Sequence, residues 1–156
     1  MGTTVTAATM TITITEEILL NGVDQGGTQV QEITSVKEVS RRIVNVGTSK
    51  VQLVIMSTAA AAGTFVETAV KYIRITNLDN TNYVNLIFKC DGNPEFAVLL
   101  DHGQSFIYNG DLLGGVVNTM VANAGTVGTP SLEDLVDISA LANTAACDLE
   151  VMVAGT

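Results

Sequence analysis

The chain has 156 residues, 47% of them hydrophobic and only 15% charged, with a net charge of −9, two cysteines and one histidine. A domain of this length buries roughly 68–70% of the surface its unfolded chain exposes, so it needs neither a metal nor a disulfide framework to fold. Residues 1–89 carry seven acids and seven bases, residues 90–156 nine acids and no Lys or Arg; such an acidic half repels phosphate and argues against nucleic acid as a partner.

Twenty Thr and twenty Val stand against four Lys and three Arg. Branched side chains suit a pleated surface and long helix formers are scarce, so the composition predicts an all-β fold. The start, MGTTVTAATM, lacks the basic and apolar regions of a secretory signal. Its first residues fit the pattern for N-myristoylation, which a disordered Thr-rich start explains equally well. Residues 1–9 read as a flexible N-terminal arm, with Gly2, Thr3, Thr4, Val5 and Thr6 as candidate interaction residues, ahead of one β-sandwich domain over 10–156. No run approaches 18 unbroken apolar residues, so no helix is expected to span a membrane.

The first predicted strand alternates strictly over Thr11–Thr15, runs toward Leu19 and Leu20, and stops at Asn21-Gly22, a strong turn pair. A loop is expected over 23–29. Residues 33–46 are ambiguous: Ser35 with Glu38 reads as a capping box and Val36, Val39 and Ile43 lie at helical spacing, yet Arg42–Val46 ends like a strand. The expectation is a single helical turn near 35–39 and then a strand.

Val51, Leu53 and Ile55 share one face of the next strand. Tyr72–Thr76 leads through Asn77–Asn82 into Tyr83–Phe88, which reads as a hairpin whose second arm turns Val84, Leu86, Phe88 and Cys90 to one side. Turns at 91–94 and 101–104 bracket a strand with Phe96, Val98 and Leu100 on its core face, and Ser105–Asn109 follows. Residues 110–135 read as long connections around one weak strand near 116–121. Val136–Leu141 and Cys147–Val153 close the chain, with Cys147, Leu149, Val151 and Val153 inward and the acidic residues mostly outward. Short strands at this spacing, joined by long connections, predict a single antiparallel β-sandwich of jelly-roll or Greek-key type, with at most one or two short helical turns. No repeat of fixed period is present.

Little in the sequence points to catalysis. His102 lies in the turn Asp101-His102-Gly103, which offers it solvent instead of a pocket. One histidine and two isolated cysteines cannot make a four-ligand zinc site, and Cys90 and Cys147 read as buried free thiols. Asp79, Asn80 and Asn82 are the first candidates for a cation, since they supply oxygen ligands, but they lack the spacing and closing Glu of an EF-hand and also suit a structural turn. Tyr72, Tyr83 and Tyr108 are expected in strands, packed across them. No catalytic residue, cofactor or resident metal is expected.

The segments TITITEEILLNG (11–22), SRRIVNV (40–46), YIRITNLDNTNYVNLIFK (72–89) and FAVLLDHGQSFIYN (96–109), with the closing DLEVMVAG, resemble small virion structural proteins of tailed phages, marine and cyanobacterial ones in particular. The resemblance covers most of 10–153. It implies a jelly-roll-like fold without catalytic residues, a place on the capsid surface after synthesis in the host cytoplasm, and a decoration or cement protein bound to the major capsid protein and to itself, a homotrimer favoured. A tail, neck or fibre-associated protein, including a receptor-binding one, is the second reading. A cellular sugar- or calcium-binding module is the third.

Overall fold

The structure is a computed structural model that describes residues 4–92, 94–110, 112–121 and 131–156. Among them every regular element is a strand.

The chain opens as a long two-stranded ribbon. β1 (Ala8–Glu16) pairs antiparallel with β4 (Gly27–Val36), and β2 (Leu19–Leu20) with β3 (Val23–Asp24) carries the ribbon to its tip. Asn21 and Gly22 turn it with φ of 52° and 81°, the positive pair that a two-residue hairpin turn requires. The loop expected over 23–29 is therefore mostly strand. The ribbon is irregular just before its tip, where the Gln25 amide donates to the Ile18 carbonyl at 2.9 Å. Gly26 is required here, because a Cβ would stand 2.1 Å from the Glu16 carbonyl oxygen.

β5 (Glu38–Val46) follows β4 with almost no break. Opposite Thr9 the ribbon register shifts, so that two residues, Thr34 and Ser35, face one. Ser35 takes φ of 63° there, and the Lys37 amide donates to the Gly155 carbonyl at 2.9 Å. The expected helical turn at 35–39 is thus a kinked strand. Val36, Val39 and Ile43 share no common face: Val36 is buried under the ribbon, while Val39 and Ile43 are exposed on β5.

β6 (Val51–Ser57), β7 (Phe65–Val66), β8 (Val70–Asn77), β9 (Val84–Cys90), β10 (Glu95–Leu100), β11 (Ser105–Asn109), β12 (Leu135–Ala142) and β13 (Cys147–Gly155) complete the chain. They form two sheets, ordered β10-β9-β12-β6-β7 and β11-β8-β13-β5. Apart from the short β7, which runs parallel to β6, pairing is antiparallel and nested: β5 with β13, β6 with β12, β8 with β11, β9 with β10. First pairs with last, second with second-last, and so inward to β9 with β10, so the fold is a jelly roll.

This nesting overturns the hairpin expected at 72–88. β8 and β9 are consecutive but lie in different sheets, and residues 78–83 cross between them. Tyr83 lies just outside β9. No strand forms at 116–121 either: the backbone turns at Gly115 and Asn118, with φ of 70° and 51°, leaving only a bridge between Met120 and Glu133.

The core lies between the sheets. Val84, Leu86, Phe88 and Cys90 face inward from β9, and Cys147, Leu149, Val151 and Val153 from β13, all buried. Phe88 stacks on Phe96 of its own sheet and tilts against Phe106 of the other, ring centres 4.8 Å apart in both pairs. Cys90 and Cys147 are free and buried, and burial raises both thiols above their ordinary values.

Candidate functional site

The ribbon is attached at its base and exposed beyond it. Met10, Ile12, Ile33 and Val36 pack against Tyr72 of β8 and Met152 and Ala154 of β13, on the outer face of the sheet ending in β5. Asn109 of β11 adds a hydrogen bond from its side-chain amide to Gln31 Oε1 at 2.7 Å. Past Ile12, every residue of 13–24 is exposed. At about 3.3 Å per residue, Leu20 stands on the order of 25 Å beyond Ile12 along the strand.

The exposed part is a chemically distinct tip. Ile18, Leu19, Leu20 and Val23 are 54–74% exposed, and Glu16, Glu17 and Asp24 surround them. Leu20 opposes Val23 on one face of the ribbon, and Leu19 opposes Asp24 on the other. Residues 8–36 carry four acids and no base. An apolar cluster held out in water at the end of an arm makes the tip a candidate contact surface.

A second surface lies along β5, a strand at the end of its sheet. Its outer face carries Val39 (59% exposed), Arg41 and Ile43 (64%), with Lys37 at its start. Four of the chain's seven bases are exposed, and all four, Lys37, Arg41, Arg42 and Lys50, lie in β5 or its flanking turns. Arg41 Nε and Nη2 donate to Glu150 Oε1 at 2.7 and 2.5 Å, and Arg74 Nη2 donates to Glu150 Oε2 at 2.5 Å. These two guanidinium groups hold the Glu150 carboxyl below the usual carboxylate range. Arg42 donates to the Leu53 carbonyl.

The sites singled out in the sequence fall elsewhere. Of the N-terminal candidates, Gly2 and Thr3 lie outside the described residues, while Thr4, Val5 and Thr6 precede β1 and are exposed. Asp79, Asn80 and Asn82 are together in the sheet-crossing loop, but Asp79 Oδ1 is occupied by the amides of Thr81 at 2.7 Å and Asn82 at 2.6 Å. Those backbone donors pull the Asp79 carboxyl below its ordinary value. Asn80 Oδ1 accepts from the Thr81 hydroxyl, and the buried Asn77 pins the loop by donating to the carbonyls of Asn82 and Leu100. The cluster is organised around its own backbone.

His102 is exposed at its turn, with Nδ1 3.0 Å from Asp101 Oδ1. A shallow concavity of about 510 Å³ on the outer face of the other sheet is lined by Lys50, Gln52, Lys89, Glu95 and Asp137, among others. Its buried acid, Asp137, is satisfied internally, accepting from Gln52 and Ser139 at 2.5 Å each. The acids are not uniformly outward. Glu67 is buried too, and desolvation, reinforced by Asp134 and Asp91, raises its carboxyl above the ordinary value. Among the described residues no three of His, Cys, Asp or Glu group to hold a metal, and no helix is long and apolar enough to cross a membrane.

Sequence reasoning misses the ribbon because 23–29 resembles a loop. Its signal is present in the Asn-Gly turn flanked by apolar residues on both sides. No model of a known protein family matches this chain, and no curated protein matches it.

Proposed function

We propose that this chain is a non-enzymatic structural component of a tailed-phage virion, a decoration or cement protein that packs on the major capsid protein and on itself at the capsid surface. The observation that carries the reading is the projecting ribbon, whose tip offers Leu19, Leu20 and Val23 to solvent from a rigid jelly roll. A soluble monomer gains nothing from that exposure, whereas an assembly component buries it against a neighbour. The likeness of residues 11–22, 40–46, 72–89 and 96–109 to tailed-phage structural proteins points the same way. Polar groups that could do chemistry, Asp79, Asp137 and Glu150, are instead engaged by neighbouring donors.

Quantitative mass spectrometry of purified particles tests the reading. A cement protein is recovered in proportion to the capsomers. Recovery in the small numbers of a tail or fibre part would move it to the second reading, and absence from particles would refute a virion role. Shells lacking a cement protein should also release DNA at a lower temperature than complete ones.

A further inference from the structure

We infer that Asn21, at the ribbon tip, is a site of spontaneous covalent modification, where the exposed Asn21-Gly22 turn loses ammonia and leaves aspartate or isoaspartate. The inference concerns the free chain and does not depend on the assembly reading. Two Asn-Gly pairs occur in the sequence, Asn21-Gly22 and Asn109-Gly110, and the structure treats them oppositely.

The reaction needs a free amide nitrogen, an uncommitted carboxamide and room for a cyclic imide between them. Glycine leaves that nitrogen unhindered, so the pair is reactive where asparagine before a bulkier residue is not. Asn21 and Gly22 are both exposed, and among the described residues neither the Asn21 carboxamide nor the Gly22 amide makes a hydrogen bond. Nothing stands within 4 Å of where a Gly22 Cβ would be. At Asn109 each condition fails. Its carboxamide nitrogen donates to Gln31 Oε1 at 2.7 Å, the Gly110 amide donates to the Lys71 carbonyl at 2.9 Å, and a Cβ on the buried Gly110 would stand 3.0 Å from the Gly115 carbonyl oxygen. Attack also requires the backbone at Asn21 to leave its tight turn. Beyond the irregular step at Gln25 only Leu19 with Asp24 and Leu20 with Val23 hold that turn, so it opens at little cost.

The step balances with water as its one reagent. The Gly22 nitrogen gives its proton to solvent base and bonds to Asn21 Cγ, the bond from Cγ to Nδ2 breaks, and ammonia departs. Water then opens the imide. Cleavage between Cγ and the Gly22 nitrogen gives aspartate; cleavage between the Asn21 carbonyl carbon and that nitrogen gives isoaspartate, with the main chain rerouted through Cγ. Either product adds a carboxylate to a tip that already carries Glu16, Glu17 and Asp24. Aspartate before glycine suits the same turn, whereas isoaspartate adds a backbone atom and breaks the left-handed geometry that the turn needs. The modification therefore alters the surface presented at the tip and leaves the sandwich as it was.

The test incubates the purified full chain at mildly alkaline pH and follows each asparagine by peptide mass mapping, with an isoaspartate methyltransferase reporting the rearranged product. Asn21 should convert, faster as pH rises, and at least about tenfold faster than Asn109, whose partners must first be released by local opening. In urea the two should react at similar rates, which shows that the fold sets the difference. Asn21→Gln should abolish the early acidic species with circular dichroism unchanged. In the isoaspartate product, isolated by chromatography, amide exchange over 19–24 should accelerate while β9 and β13 exchange as in wild type. Retention of Asn21 for as long as Asn109 in the folded chain overturns the inference, as does an acidic species that forms at the wild-type rate in Asn21→Gln. Unchanged exchange over 19–24 in the isoaspartate product overturns its effect on the tip.

Discussion

The sandwich and the ribbon are built from the same Thr, Val and Ile alternation and bury it very differently. In β9 every second residue is fully buried between two sheets, whereas in β1 only Ile12 is buried and Ile14 remains 41% exposed. A strand pattern thus predicts a pleat and two faces, but not whether a second layer covers either of them. The sandwich supplies the stability; the ribbon, packed only at its base, presents surface.

The largest expected effect sharpens this contrast in the core. Phe88→Ala removes the ring that joins Phe96 and Phe106, and should cost about 3–5 kcal/mol in urea denaturation. A loss under about 1 kcal/mol would mean that the sheets do not depend on this contact. Next, Gly22→Ala places a Cβ on a backbone at φ 81° and should weaken the ribbon by about 1–2 kcal/mol. Amide exchange should accelerate in β2 and β3 with the melting temperature nearly unchanged; a matching fall in melting temperature would show the two regions to be one cooperative unit.

Acid should act on two carboxylates of the sandwich in opposite directions. Glu150 titrates below its ordinary 4.5 in the folded chain, so its contribution is present above that value and disappears as pH falls through the lowered one. Glu150→Gln should therefore flatten the loss of stability below pH 4.5. Glu67 titrates above 4.5, so its favourable protonated form is intact below 4.5 and is lost as pH rises through the raised value. Glu67→Gln should accordingly stabilise the chain at neutral pH and make no difference below pH 4.5, measured by denaturation across pH. The smallest expected effect is Leu20→Ser at the tip, within about 0.5 kcal/mol of wild type in folding stability, because the side chain is already in water. A larger loss would show the tip packed in solution.

The parts legible in the sequence are those set by local chemistry. Asn21-Gly22 demands a two-residue turn, and 84–90 and 147–153 show their inward faces by period two. Partner choice is not legible. Tyr72–Thr76 and Tyr83–Phe88 read as a hairpin because a short polar loop joins them, and nothing local shows that this loop crosses between sheets. Ser35 misleads for a similar reason: a Ser three residues before a Glu also fits a kinked strand once Ser35 adopts a left-handed backbone. The tip and the β5 face escape notice in the sequence because their meaning lies in what surrounds them in space.

The nested pairing also dictates an order of events in synthesis. β5 finds its neighbour in β13, with Glu38 opposite Gly155, so the jelly roll has high contact order and cannot close until β13 has left the ribosome. The ribbon pairs within residues 8–36, on the microsecond timescale of a hairpin, and gains its apolar support only once β8 and β13 follow. During translation, then, a greasy hairpin with four acids and no base emerges ahead of its own scaffold, and like charge of that kind opposes association between unfinished chains.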